Sequence, residues 1–253
     1  MATTPTLKDK LDHVADGYHN SVFTLQNFVN TINAGLETRN PEDLQGIENW
    51  WESMKSMPSP DSVASQPAIV EPRPFLRRVY EESLRMVNRY PGLLYEMAFI
   101  SRIALFDAFL SDVLLVLLCS RPEMLKSGKT LTNEDIIDAP DKQALIRMMA
   151  ERALSSISRE SITGLSDWFR SRTNIELFKT DQQRDIIIEL MSRRNLFVHA
   201  NGFVNSQYLS AVPNSTVKAN ERLFVDDAYW RKIDAELIGV AETLRFNINQ
   251  KFP

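Results

Sequence analysis

Apolar residues recur every three or four positions along most of the chain, which is the spacing of one face of an α-helix. In the first such segment these positions are Leu7, Leu11, Val14, Tyr18, Val22, Leu25, Phe28, Val29 and Ile32. Gly35 is typical of a helix end, and Pro41 is typical of the first turn of a following helix. The pattern therefore predicts an N-terminal helical hairpin over residues 1–57.

Prolines dominate the next stretch of the chain, at positions 58, 60, 67, 72 and 74. Proline lacks a backbone N–H and interrupts helices, so this composition favours an extended segment. We predict a linker over residues 58–74 and place the domain boundary there. A long surface loop that packs on the core is the alternative interpretation.

Helical spacing returns at Phe75, breaks at Pro91 and Gly92, and then continues to about residue 118. The apolar residues of this last segment are too many for a single stripe, so it should be the central and most buried helix. No segment keeps a two-residue alternation for long. We therefore predict an all-α protein whose main helical domain covers residues 75–253. A short turn of helix is expected to begin at Thr132 with Asp135. Further helices are expected at about 141–157, at 160–172, at 181–200 with Asp181 as the cap, and after Asp226.

Composition fits a soluble globular protein, with 43% hydrophobic and 25% charged residues. The formal net charge of −4 gives no general attraction for nucleic acid, so contact with RNA requires a local basic patch. Four basic residues form a candidate rim, and a solvated surface is their default interpretation; they are Lys218, Arg222, Arg231 and Lys232.

Three features predict a cytoplasmic protein without membrane contact. The single cysteine, Cys119, suits a reducing compartment, and residues 1–10 lack the apolar stretch of a secretory signal. The most apolar segment, residues 100–119, contains Arg102, Asp107 and Asp112. Charges spaced in this way indicate a core helix instead of a membrane span.

The segment with the most candidate catalytic side chains is Arg-Arg-Asn-Leu-Phe-Val-His at residues 193–199. The helix that carries it is predicted to end before Asn201 and Gly202. Histidine transfers protons near neutral pH, and arginine holds phosphate in a rigid fork. An amide can orient either group. Arg194, Asn195 and His199 are therefore candidate catalytic residues for cutting RNA without a metal.

Arg194, Asn195 and His199 match an R-x4-H motif in which Asn directly follows Arg. With the apolar helix at residues 101–110 and Gly-Phe-Val-Asn at 202–205, this segment resembles the HEPN superfamily of small helical bundles, in particular bacterial members of defence and toxin type. The resemblance covers roughly residues 95–250. It implies a HEPN-like bundle, an endoribonuclease activity and a homodimer in which both motif helices line one cleft.

The spacing of the motif agrees with a dimeric site. Asn195 and His199 are four residues apart and share a helix face, whereas Arg194 and His199 diverge by about 140°. The resemblance implies that His199 assists attack of the ribose 2′-hydroxyl or protonates the leaving 5′-oxygen, leaving a 2′,3′-cyclic phosphate. Arg194 would stabilise charge on the phosphoryl oxygens, and Asn195 would hold His199 or the substrate.

Three further residues are auxiliary candidates for substrate binding. Arg193 is either a phosphate contact or a solvated helix charge. Arg102 and Asp107 lie in the core helix, where a charge needs a partner, so they either pair with neighbours or support the motif. His199 has no second His or Cys at ligand spacing, so neither a metal nor another cofactor is expected, and a metal-dependent enzyme is the weakest interpretation.

Two other interpretations stay open. His199 could cap its own helix while Arg194 and Asn195 are solvated, or the bundle could be a non-catalytic adaptor that mediates protein assembly. The expected partners are RNA, a second copy of the chain, and a regulatory or defence-complex protein that binds the N-terminal hairpin. Whether Arg194, Asn195 and His199 meet across a dimer distinguishes the nuclease from the adaptor.

Overall fold

A computed structural model describes residues 5–56, 74–125, 132–157 and 160–253, and it is built from α-helices. The helices in these ranges are α1 (Leu7–Ser56), α2 (Pro74–Ser120), α3 (Asn133–Asp138), α4 (Lys142–Ile157), α5 (Ile162–Thr173), α6 (Asp181–Ala200), α7 (Ser206–Ala211) and α8 (Asp227–Lys251), with a 3₁₀ turn at Pro122–Leu125. Within the same ranges, β-pairing is limited to one isolated bridge between Phe203 and Arg222. The predicted all-α class is confirmed.

The predicted N-terminal hairpin is wrong, because α1 is a single helix of 50 residues with Pro41 in its interior. Gly35 does not take the left-handed conformation by which a glycine ends a helix; among the described glycines only Gly202 has a positive φ. Pro41 removes one N–H from the hydrogen-bond ladder, and the helix continues on both sides of that gap. The predicted linker lies outside the described residues, apart from Pro74, which begins α2.

Helix α2 likewise runs through the break predicted at Pro91 and Gly92. The prediction that this segment supplies the most buried helix agrees with its side chains. Nine apolar side chains are each no more than 3% exposed; they are Phe99, Ile103, Phe106, Phe109, Leu110, Val113, Leu114, Leu117 and Leu118. By length and composition alone α2 could cross a membrane, but the core helix of a soluble protein has the same composition.

The chain divides into two compact units whose limits differ from the predicted boundary. One unit combines Met1–Leu25 with Phe99–Pro253, and the other is Gln26–Ala98. The start of α1 belongs to the first unit because its apolar face is buried there; Leu11 is 1% exposed and Tyr18 is 5% exposed. In the second unit α1 and α2 pack through aromatic rings, with the centroids of Trp51 and Tyr80 4.7 Å apart in a stacked pair.

A buried arginine joins three helices of the first unit. Arg102 on α2 is 0% exposed, and its Nε donates to Asp234 Oδ1 on α8 at 2.6 Å. Its Nη1 donates to the Tyr18 hydroxyl on α1 at 2.7 Å, and its guanidinium lies 5.1 Å from the centroid of that ring. Burial raises the pKa of Tyr18, so the phenol stays neutral and accepts the bond. Loss of one partner from such a buried ion pair typically costs about 3–5 kcal/mol.

The variant Gly35→Ala distinguishes the continuous α1 from a hairpin. A Cβ at position 35 meets nothing within 4 Å, and alanine favours a helix interior over glycine by about 0.5–1 kcal/mol. We expect the free energy of unfolding, measured by chemical denaturation, to rise by that amount. The control is Gly202→Ala, where φ is +79° and a Cβ would lie 3.0 Å from Phe197 Cε1, so stability should fall. A loss of stability in Gly35→Ala would contradict the single helix.

Candidate active site

The motif residues lie on α6, whose ends are set by local signals. Thr180 is the N-cap and its hydroxyl accepts from Gln183 N, which corrects the prediction that Asp181 is the cap; Asp181 is the first helical residue. The predicted stop is confirmed, since Asn201 takes a left-handed φ of 49° and Gly202 a φ of 79°. His199 is therefore in the last turn of α6.

The three candidate catalytic residues line one cleft of about 540 Å³ in the first unit. Arg194, Asn195 and His199 enter it from α6, and Asp107 enters it from α2. The remaining wall carries polar side chains, among them Ser161, Thr163, Asn205 and Gln207, together with the Glu160 carboxylate and several apolar side chains. The cleft therefore combines a cation, an imidazole, two carboxylates and several hydroxyl and amide groups on a partly apolar wall.

Arg194 is held by Asp107, with Nη2 donating to Asp107 Oδ2 at 2.9 Å. The side chains of the pair are 29% and 44% exposed, so the contact borders solvent. Burial raises the pKa of Asp107, and the Arg194 charge opposes that rise. Asp107 was predicted either to pair with a neighbour or to support the motif. Its hydrogen bond with Arg194 shows that it holds the motif arginine in place. The Arg194 Nε is buried and has no hydrogen-bond partner in the described chain.

Asn195 and His199 are exposed and share the cleft, as expected from their four-residue spacing. Within the described ranges, neither side chain makes a hydrogen bond or an ion pair. Arg194 reaches the same cleft despite its angular separation from His199, because its long side chain extends to Asp107. A single copy therefore presents all three groups to one space.

Arg193 does not line this cleft, which corrects its assignment as a phosphate contact. Its Nε donates to Glu189 Oε1 at 2.7 Å, its Nη1 donates to Phe224 O at 3.0 Å, and its guanidinium lies 4.2 Å from the centroid of the Tyr229 ring. The side chain is only 15% exposed, so it is not solvated either. Because consecutive residues of a helix lie about 100° apart around its axis, Arg193 points in a different direction from Arg194.

Arg102 is also absent from the cleft, and its assignment as a substrate-binding residue is corrected too. It is fully buried, and its bonds go to Tyr18 and Asp234. Its charge is paired inside the protein with Asp234, while its Nη2 is buried without a hydrogen-bond partner among the described residues. Arg102 therefore supports the helix that carries Asp107 and does not contact a ligand.

Glu189 accepts hydrogen bonds from two tyrosines that sequence reasoning missed. The Tyr208 hydroxyl donates to Oε1 at 2.9 Å and the Tyr229 hydroxyl donates to Oε2 at 2.6 Å. Burial, reinforced by the Glu189 charge, raises the pKa of Tyr208 to about 12 and also raises that of Tyr229. Both phenols therefore remain neutral donors that hold α6 against α7 and α8. No spacing signal joins residues so far apart in sequence.

The described residues contain no group of three or more His, Cys, Asp or Glu side chains that could hold a metal ion.

No protein-family model, no curated protein and no solved structure matches this chain. The HEPN resemblance accordingly depends on the motif and its helical setting, and it stays a prediction.

The variant Asp107→Asn tests whether burial of Asp107 or its pairing with Arg194 has the larger effect on the free energy of unfolding. The raised pKa means that the folded site disfavours the charged carboxylate relative to water. We expect the neutral amide to raise the free energy of unfolding at pH 7 by less than about 1 kcal/mol. The gain should vanish as the pH falls below the ordinary aspartate pKa, where the carboxyl is neutral in both states.

Denaturation at pH 7 and pH 3 checks this expectation, with Asp135→Asn as the control. Hydrogen bonds from Arg152 and Thr132 lower the pKa of Asp135, so its amide variant should lose stability at pH 7. If Asp107→Asn is less stable than the wild type at pH 7, pairing with Arg194 outweighs burial and the expectation is wrong.

Proposed function

We propose that this chain is a metal-independent endoribonuclease of HEPN type that acts as a cytoplasmic homodimer, in antiphage defence or as a toxin. The observation that carries the proposal is the common cleft of Arg194, Asn195 and His199. Two of these side chains are exposed there, and in the described chain they have no competing partner. A proton-transfer group and a phosphate-binding cation thus share one space with access to solvent.

In the proposed reaction the ribose 2′-oxygen attacks the adjacent phosphorus, and the bond from phosphorus to the 5′-oxygen breaks. One proton leaves the 2′-hydroxyl and another is delivered to the 5′-oxygen, which yields a 2′,3′-cyclic phosphate and a 5′-hydroxyl. His199 is the single histidine that lines the cleft. A second copy of the chain would supply a second imidazole, so that one acts as base and the other as acid.

The Arg194–Asp107 pair suits phosphate binding. Asp107 uses one guanidinium nitrogen, Nη2, and the Arg194 side chain is 29% exposed, so part of the side chain still faces solvent. A phosphoryl oxygen at an exposed N–H of the guanidinium would gain a charge-assisted hydrogen bond. Because Asp107 already holds the side chain in the cleft, little conformational entropy is lost when the phosphate binds.

The experiment compares RNA cleavage by wild type, His199→Ala and His13→Ala in the presence of EDTA. His13 is exposed on α1 and does not line the cleft, so it is a matched control for loss of an imidazole. We expect the wild type and His13→Ala to cut and to leave cyclic phosphate ends. His199→Ala should be slower by about 100-fold or more. Unchanged cleavage by His199→Ala would place the active site elsewhere, and no cleavage by wild type would count against a nuclease that is active alone.

A second candidate function, a helical adaptor that assembles with further copies of itself, is favoured by the outer face of α2. Large apolar side chains there are 38–60% exposed and follow one another at spacings of seven, four, three and four; they are Val79, Met86, Tyr90, Leu93 and Met97. This is the spacing of a seam between packed helices. The same stripe on a second copy is a self-complementary partner across a two-fold axis.

The double variant Met86→Glu/Leu93→Glu tests this stripe in the full chain. Charges at the centre of an apolar helix seam would have to be buried without partners, so we expect self-association to weaken at least tenfold. Light scattering after gel filtration, over a concentration series, gives the mass. Arg78→Glu, at an exposed position outside the stripe, should leave the mass unchanged. Equal masses for the double variant and the wild type would remove the support for the adaptor.

A further inference from the structure

An aromatic platform follows the motif helix and consists of Phe203, Arg222 and Phe224. Two short extended segments pair there, with Leu223 N donating to Gly202 O and Val204 N donating to Glu221 O, both at 2.9 Å. Phe203 and Arg222 are directly opposite one another in the antiparallel bridge. Since side chains alternate along extended backbone, the three platform residues project to one side.

The other side of this ribbon is anchored in the core. Val204 is 1% exposed and Leu223 is 6% exposed, and both belong to one apolar cluster with Leu196 and Tyr208. On the platform side, Phe203 is 44% exposed and Phe224 is 62% exposed. The ribbon therefore holds two partly exposed phenyl rings at the surface, on the side opposite to its buried residues.

Arg222 gives the platform a fixed positive charge. Its guanidinium lies 4.7 Å from the centroid of the Phe224 ring, and its Nε donates to the carbonyl oxygen of Asn201 at 3.1 Å. Asn201 caps the motif helix two residues after His199. The platform is thus bonded directly to the turn that ends the candidate catalytic helix.

We propose that the aromatic platform stacks unpaired bases of an RNA that also enters the cleft. This inference rests on the proposed nuclease function. Every base has a flat π face that stacks on phenyl rings whatever the sequence, and an adjacent arginine contributes to stacking and neutralises a phosphate. In duplex RNA the base faces are covered, so the platform has nothing to stack on.

The size and the charge of the aromatic platform favour nucleobases over a protein as its ligand. Two exposed rings and one guanidinium match one or two bases, whereas a stable protein interface needs about 800 Å² from each side. The cation over Phe224 also suits a polyanion, for which the net charge of −4 offers no general attraction. A local patch of this kind is what an acidic protein requires to hold RNA.

The test measures binding of the full-length wild type to a fluorescent 2′-O-methyl RNA oligonucleotide, which has no 2′-hydroxyl to attack. We expect Phe224→Ala to weaken binding of the single strand by about 5- to 150-fold. Phe224→Trp should retain it, because a larger ring still stacks. Phe246→Ala is the matched control, since Phe246 on α8 is 60% exposed and lies outside the platform. An oligonucleotide duplex of the same length should bind equally to all four proteins.

Equal affinity of Phe224→Ala and Phe246→Ala for the single-stranded oligonucleotide would overturn the platform proposal. The absence of RNA binding by wild type would overturn it as well. A change in oligomeric mass of Phe224→Ala in light scattering would identify a protein surface instead and would also overturn it. The nuclease proposal and the platform proposal can be refuted independently. A wild type that cannot cut RNA but binds it through Phe224 refutes the nuclease alone, whereas cleavage with affinity independent of Phe224 refutes the platform alone.

Discussion

The guanidinium of Arg102 has no contact with water, so its charge must be balanced inside the protein. The partners come from opposite ends of the sequence, Tyr18 near the start and Asp234 in the last helix. This requirement explains why the first 25 residues belong to the same compact unit as residues 99–253. A buried charge with fixed hydrogen bonds also sets the rotation of α2 about its own axis.

That rotation determines what α2 presents to the cleft. Asp107 is five residues after Arg102, which turns it by about 140° around the helix. With Arg102 directed into the core, Asp107 lies at the cleft wall, where it holds Arg194. The position of the motif arginine thus depends on an ion pair that never touches a ligand. The adjacent Arg193 contacts Glu189 and Tyr229 outside the cleft. Helix α6 therefore has fixed contacts on two sides.

Local signals predicted much of the fold and the central part of the site. Asp226 caps α8 as expected, Thr132 and Asp135 form the reciprocal cap of α3, and Asn201 with Gly202 ends α6. These groups act on their own backbone, so short sequence patterns report them well. The motif residues were found because their spacing along one helix is itself a local property.

The errors have a different physical origin. Gly35, Pro41 and Pro91 each disfavour a helix interior, the prolines by about 3 kcal/mol, yet α1 and α2 continue through them because a long helix retains its hydrogen bonds on both sides of one defect. The role of Arg102 depends on partners more than 80 residues away, which no spacing rule reveals. Arg193 has a partner at the i,i+4 spacing, Glu189, but its contact with Phe224 lies 31 residues away. The sequence predicts that the charge of Arg102 needs a partner, but it does not distinguish a core contact from a ligand.

The turn after α6 joins the two surfaces on which the functional proposals depend. Gly202 takes a φ of +79°, and a Cβ there would lie 3.0 Å from Phe197 Cε1 and 3.2 Å from the Leu223 carbonyl oxygen. Only glycine lets the chain leave the helix and pair at once with Leu223, which places Arg222 against the Asn201 carbonyl. His199 and the aromatic platform are therefore positioned by the same backbone constraint, and a ligand that contacts both would bind a preformed surface.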